Sequence, residues 1–280
     1  MTMERENSLQ HILAARYEDA PAIECQNGRN ALLHSMAARG SCRAFLDKPV
    51  SPEWIKMLCA TALASPTKSD LQQRDIILLQ SANVRQQLAG LVSGQAWVAD
   101  APMIAIFCGN NRRQRLVHDW KDIPFANDHL DAFFNAVGDA AVAMGTFVTA
   151  AEALGLGCCP ISAVRNEASA VSKLLNLPKF VFPFAGLAFG YPVQAPVVSK
   201  RIPLSVTCHI DRYHENDLLE NVKRYDGDRA NSQPYDKQRY TERFGKSDQY
   251  AWSDDKARQY SEPERRDFGK YVRSQGFELD

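Results

Sequence analysis

The chain has 280 residues, of which 45% are apolar, and its 33 basic residues balance its 33 acidic residues. This composition predicts a globular protein with a substantial core, and it excludes a global positive field that would attract nucleic acid or an anionic membrane. The seven cysteines lie at irregular positions and form no disulfide pattern, so a cytoplasmic protein is expected. No apolar run approaches the ~20 residues of a membrane span, and residues 1–10 show no signal-peptide pattern.

The predicted elements begin with a helix-rich extension over residues 1–33, which breaks at the polar stretch Gln26–Asn30. Ser51, Pro52 and Glu53 then combine an N-cap, a first-position proline and a first-turn acid, which predicts a helix start. Apolar patterns predict strands at 76–79, 103–107, 158–161 and 181–191, and helices at 84–91, 130–154 and 166–177.

The helix predicted at 130–154 is apolar or small-sided nearly all round, which is typical of a buried helix. No strand is followed by G-x-G-x-x-G, so a Rossmann dinucleotide site is not supported. Beyond residue 213 the composition becomes polar. We therefore divide the chain into the extension at 1–33, a compact domain at 34–215, and a polar arm at 216–280 that wraps the domain or a partner subunit.

The stretch from Arg39 to Arg43 carries the clearest chemistry. Two guanidinium groups can bind a phosphate bidentately, Ser41 adds a hydroxyl donor, and Gly40 allows the backbone to approach an anion. The alternative is a solvated basic loop at a helix end, and the pentapeptide alone leaves both interpretations open.

Further motifs occur in a fixed order along the chain. They are Arg39-x-Ser41-x-Arg43-x-Phe45, Ser65-Pro66-Thr67 to Gln72, Gly94-Gln95, the helix end Ala153–Gly157, Arg165-Asn166, Gly190-Tyr191-Pro192 with Lys200–Pro203, and Trp252-Ser253-Asp254. In this order they resemble the FMN-dependent nitroreductase family, and most of all its NADPH-dependent, oxygen-insensitive nitroreductase and flavin reductase branch. The resemblance covers roughly residues 34–255.

The resemblance implies an α+β, nitroreductase-like fold in which helices flank a central mixed sheet. Two identical chains would interlock as a homodimer, with the long helix at the interface and one FMN at each end of it. The implied activity is hydride transfer from NADPH or NADH through FMN to a small acceptor, in a ping-pong order.

Residue roles follow only from this resemblance. Arg39, Ser41 and the distant Arg201 match positions that bind the FMN phosphate, with Gly40 between the first two. Arg43 matches the cation beside the N1 and O2 edge of the flavin, where negative charge accumulates on reduction. Positions near the ring, the ribityl chain and N5 are matched by Ser65, Thr67, Ser69, Gln95, Ile161, Ser162 and Ala163.

Three departures from the family pattern concern the ligands. Ser162 and Ala163 stand where the family often has a glycine pair, which adds bulk beside N5. Ser199 stands where the family has a lysine near the phosphate. Arg243 matches the first of two arginines that bind the NADPH 2′-phosphate, but Asp248 stands in place of the second and would repel that phosphate unless Lys246 compensates.

The predicted function is an NAD(P)H-dependent reductase of nitroaromatics, quinones or flavins that needs no protein acid or base for hydride delivery. The alternatives are a reductive dehalogenase or oxygen-using flavoenzyme of the same fold, a non-catalytic flavin-binding regulatory or storage protein, and a protein that binds another phosphate ligand. Cys158 and Cys159 are interpreted as small core residues, and His209 and His214 lack the spacing of a metal site.

Overall fold

The computed structural model describes residues 9–20, 30–92 and 94–280. The predicted break at Gln26–Asn30 lies, apart from its last residue, outside the described residues. The chain forms two compact units, Met1–Arg39 with Val197–Glu264, and Gly40–Pro196 with Arg265–Asp280. We call the first the helical unit and the second the sheet unit.

The sheet unit contains four strands and six α-helices in its described residues. Their bounds are α3 (Pro52–Leu63), β1 (Arg74–Leu79), α4 (Ala82–Leu91), β2 (Met103–Asn110), α5 (Arg112–Lys121), α6 (Leu130–Ala153), β3 (Gly157–Ile161), α7 (Ala168–Leu174), β4 (Val181–Gly190) and α12 (Phe268–Ser274). The predicted start of α3 is confirmed, because the Ser51 side chain accepts a hydrogen bond from the backbone N–H of Trp54.

The strands pair in the order β1-β2-β4-β3, and each pair is antiparallel. A mixed sheet was expected, but these four strands form an antiparallel sheet. In the described residues a parallel bridge joins Ser41 to Cys158, on β3. Every residue of β2 is buried. Phe107 packs with α3 and α6 on one face, and Ile106 belongs to the core on the other face. This two-sided burial explains the unbroken apolar run of the central strand.

Helix α6 packs against β2 and α3 in the core. It is also the one helix in the described part of the chain that is long and apolar enough to cross a membrane, by length and composition alone. Its burial differs from the prediction of a helix buried all round. One side, including Ala136, Asp139 and Phe147, is buried, whereas Phe134 is 67% exposed and Val142 is 44% exposed.

Residues at the C-terminus of the chain complete a third core cluster in the sheet unit. Phe277 and Tyr271 pack there with Phe182, and the Tyr271 hydroxyl lies 2.6 Å from the Ser172 hydroxyl. Burial raises the pKa of Tyr271 to about 12. The segment therefore contributes aromatic core, although its average composition is polar.

The helical unit contains α1 (Leu9–Arg16), α2 (Asn30–Ala38), α8 (Leu204–Thr207), α9 (Leu218–Ser232), α10 (Thr241–Phe244) and α11 (Trp252–Tyr260). The Trp252-Ser253-Asp254 motif joins α11 to α9. Trp252 packs edge-on against Tyr225, and the Ser253 N–H donates to Asp226 at 3.0 Å.

Candidate functional site

The predicted anion-binding segment runs alongside β3 in the sheet unit. Ser41 bridges to Cys158, and the Cys42 N–H donates to the Cys158 carbonyl at 2.9 Å. Cys42 points inward and is buried, whereas Ser41 and Arg43 are exposed on the strand's other side. The alternation of an extended segment therefore presents the hydroxyl and the guanidinium to solvent together.

Gly157 permits this close pairing. A Cβ atom on Gly157 would lie 2.6 Å from both Cβ and Sγ of Cys42, which no ordinary packing allows. Burial raises the pKa of the Cys42 thiol, so this thiol is a packing group at neutral pH.

The end of β3 leads directly to the segment predicted beside N5. Ile161 and Ala163 are buried, and Ser162 is exposed at the start of a 3₁₀ turn, Ser162–Arg165. The bridge at Cys158 is three residues upstream of Ile161 on the same strand. The structure thus brings the Ser41–Arg43 segment and the Ile161–Ala163 segment to one strand of the sheet unit.

Ser162 also lines a cavity of about 520 Å³ in the sheet unit. Its wall is mainly apolar, and four phenylalanines contribute to it: Phe133, Phe182, Phe184 and Phe268. Arg165 is the charged residue of the wall, and it donates to the carbonyl of Phe184. Burial, and then the neighbouring Arg265, lower the pKa of Arg165. The sequence offered the Arg165-Asn166 motif but no indication of this aromatic setting.

The loop that carries Ser65, Thr67 and Ser69 has a strained backbone. Ser69, Asp70 and Gln72 have φ of 48°, 56° and 52°, in the left-handed region that side chains other than glycine rarely adopt. Buried Asp139 on α6 holds this loop: its two carboxylate oxygens accept from the N–H of Lys68 at 2.9 Å and of Gln73 at 2.8 Å. Sequence reasoning missed Asp139, whose only signal was a carboxylate inside an apolar helix.

Two further predicted residues of the sheet unit differ in burial. Among the described residues, the Ser65 hydroxyl is buried with no hydrogen-bond partner. A buried unpaired hydroxyl beside a loop is the kind of group that a bound polyol would satisfy. Gln95 is half-buried and precedes the 3₁₀ turn Ala96–Val98.

The remaining predicted residues belong to the helical unit. Arg39 follows α2 and is half-buried, and Arg201 is exposed, with its Nη1 donating to the Ser199 hydroxyl at 2.7 Å. Lys200 forms an ion pair with Asp228. Arg243 forms an exposed ion pair with Glu262.

The chemistry of the other candidates is limited. Cys158 and Cys159 are buried, and neither forms a disulfide. The rings of His209 and His214 are in contact, but within the described ranges no three His, Cys, Asp or Glu residues form a group that could hold a metal ion.

Known proteins match this chain along most of its length. The model described as the nitroreductase family matches residues 36–191, and the model of that family's C-terminal domain matches residues 199–280. A curated relative of Bacillus subtilis (strain 168), named FMN reductase (NAD(P)H), is 32% identical over 202 residues, which are 70% of this chain and 80% of the relative. The oxygen-insensitive NADPH nitroreductase of Salmonella typhimurium is 30% identical, covering 92% of this chain and 98% of the relative.

Solved structures are also similar to this chain over most of its length. The B. megaterium protein NfrA2 has a TM-score of 0.82 and 27% identity, covering 90% of this chain and 99% of that one. The NADPH:FMN oxidoreductase from Vibrio harveyi, complexed with NAD⁺, has a TM-score of 0.77 and 25% identity, covering 88% of this chain and 98% of that one.

Proposed function

Because this chain belongs to the nitroreductase family, we propose that it is an FMN-dependent oxidoreductase that passes hydride from NADPH or NADH to nitroaromatic, quinone or flavin acceptors. The observation that carries the proposal is the pairing of the Ser41–Arg43 segment with β3, upstream of the Ile161–Ala163 segment. Relatives named FMN reductase and nitroreductase support the same activity.

The residues present fit FMN as a ligand. Arg39 and Arg201 are proposed to supply the guanidinium donors, and Ser41 the hydroxyl donor, that suit a phosphate dianion. The unpaired buried hydroxyl of Ser65 suits a ligand with a polyhydroxyl chain. FMN, when bound, supplies the redox chemistry, because its ring accepts and returns two electrons as hydride.

The chain's own residues would bind and stabilise rather than transfer protons. Arg43 contributes a fixed positive charge, which favours a ring that gains negative charge on reduction. Ser162 and Ala163, in place of a glycine pair, would narrow the space beside N5 of the flavin. The nicotinamide and the acceptor would use the same open face of the flavin ring in turn. The four phenylalanines in the wall of the adjoining cavity support a flat, conjugated acceptor.

The functional protein is proposed to be a homodimer in the cytoplasm. The exposed stripe on α6, which includes Phe134 and Val142, is apolar and favours burial against a second copy. The six cysteines among the described residues form no disulfide, which supports a reducing compartment.

An anaerobic absorbance scan of the purified protein tests the proposal. With NADPH or NADH, a yellow protein is expected to bleach within seconds, and to regain its colour when a nitroaromatic is added. Slow bleaching with both nicotinamides, while FMN stays bound, would instead identify a storage or regulatory protein. A colourless protein that does not take up FMN would indicate that the Arg39–Arg43 segment binds another phosphate ligand.

The same cuvette separates the enzyme alternatives. A reductase of the proposed class returns its electrons to a nitroaromatic or quinone without oxygen. The flavin of an oxygen-using enzyme would be reoxidised in air and not by a nitroaromatic without oxygen. The flavin of a reductive dehalogenase would be reoxidised by a halogenated aromatic.

A further inference from the structure

Arg16 is a buried arginine in the N-terminal extension, ahead of residue 36, where the family model match begins. It ends α1 and is 5% exposed. A buried guanidinium is costly unless its donors are satisfied, so its partners show what the extension holds in place.

Those partners lie on two separate segments of the helical unit. Arg16 donates through Nε and Nη2 to the carbonyls of Ala37 and Arg39, at the end of α2. Through Nη1 it donates to the carbonyl of Ser199 at 3.1 Å. One planar guanidinium therefore joins the segment that ends in Arg39 to the segment that leads to Arg201.

The backbone that follows Arg16 extends the same connection. The Arg201 N–H donates to the Arg16 carbonyl at 2.7 Å. The carboxylate of Asp19 accepts from the N–H groups of Leu204 and Ser205, each at 2.7 Å. Burial opposes ionisation of Asp19, but these hydrogen bonds outweigh it and hold the pKa of Asp19 below its ordinary value.

Arginine is the residue type that this connection requires. Its rigid fork presents several donors in one plane, whereas lysine has a single ammonium on a flexible stem. The side chains of Arg39 and Arg201 repel each other when they converge on one anion, and a fixed backbone lowers the cost of ordering them there.

We propose that Arg16 is a positioning residue for the FMN phosphate, which holds the Arg39 and Ser199–Arg201 segments in the arrangement that grips it. The N-terminal extension is then part of the cofactor site. This inference rests on the proposed function, because it assigns Arg39 and Arg201 to the phosphate.

Comparing FMN with riboflavin tests the inference, since riboflavin has the same ring and ribityl chain but no phosphate. In the full chain, Arg16→Gln is expected to weaken FMN binding by about 10-fold to 100-fold, the worth of one or more hydrogen bonds to a charged group. Riboflavin binding is expected to be unchanged. Glu18→Gln is the matched control: it removes an exposed ion pair of the extension with Arg224, and both affinities should stay at the wild-type values.

The ratio of the two affinities separates positioning from general stability. If Arg16→Gln leaves the ratio of FMN affinity to riboflavin affinity at its wild-type value, the inference is wrong. If Arg16→Gln does not fold, the same ratio is measured on Arg16→Lys, which keeps the charge but not the fork, and a reduced preference for FMN is expected. A wild-type protein that binds neither flavin would overturn the proposed function, and this inference with it.

Discussion

At the residue scale, Arg43 and Arg201 have different expected roles. Arg43 is exposed beside Ser41 on the segment that pairs with β3, whereas Arg201 follows Ser199 in the helical unit. In our proposal the first faces the reacting ring and the second faces the phosphate. Removing each side chain should therefore affect different measurements.

Arg43→Ala is expected to leave FMN bound and to slow its reduction by NAD(P)H, on the order of 10²-fold, because a preorganised charge at the ring is lost. Stopped-flow bleaching under anaerobic conditions measures the rate. Arg201→Ala is the comparison, and it should mainly weaken FMN retention. Equal loss of binding in both variants would contradict the roles assigned.

Gly157→Ala tests the close pairing of the anion-binding segment with β3. The new methyl group would lie 2.6 Å from Cys42, so the segment must move outward, at a cost of about 1–3 kcal/mol. We expect a lower melting temperature together with weaker FMN binding. Gly227→Ala is the control, since a Cβ there meets nothing within 4 Å. Unchanged FMN affinity in Gly157→Ala would separate this segment from the cofactor.

At the element scale, α6 does more than fill the core. Its carboxylate Asp139 is 3% exposed and binds two backbone N–H groups of the strained loop, one on each side of Ser69. Arg74 secures the same loop from β1, where its Nη2 donates to the carbonyl of Ser65 at 3.1 Å. The left-handed residues persist because surrounding hydrogen bonds determine their conformation.

Asp139→Asn should release this loop, because an amide presents a donor toward one of the two N–H groups and leaves it unpaired. The expected loss is about 1–3 kcal/mol of unfolding free energy, with a shift in the visible spectrum of bound FMN. Chemical denaturation and absorbance measure both. Asp131→Asn, at an exposed position on the same helix, is the control. If Asp139→Asn has wild-type stability, the loop does not depend on this carboxylate.

Helical periodicity predicted the bounds of α6 well but not its burial. Small and apolar residues surround the helix, so the pattern indicated burial on every side, whereas Phe134 and Val142 are exposed in the single chain. Periodicity reports which sides are apolar. It cannot report whether the covering surface belongs to the same chain or to another.

At the scale of the whole molecule, this exposed stripe is where we expect the partner subunit. Val142→Arg should dissociate the proposed homodimer, because it would bury a guanidinium without a partner. Analytical ultracentrifugation at micromolar concentration measures the change in mass. Ile210→Arg, at an apolar position that is 82% exposed outside α6, should leave the mass unchanged. A wild-type protein that sediments as a monomer would contradict the dimer.

Local chemistry determined a large part of this protein. The helix cap at Ser51 and the apolar runs of β2 and β4 are properties of neighbouring residues, so the sequence alone predicts these elements. The donors of Arg39–Arg43 are also neighbours, so the sequence predicts that this segment binds an anion. The ordered motifs then indicated the family.

Contacts between distant residues were decided only by the tertiary structure. The strand order β1-β2-β4-β3, the carboxylate of Asp139 on its loop, and the guanidinium of Arg16 between two segments each join residues more than 20 positions apart. No local pattern specifies such pairs, because they form when buried faces pack and buried polar groups must find partners. The polar average after residue 213 likewise concealed the aromatic residues that complete a core.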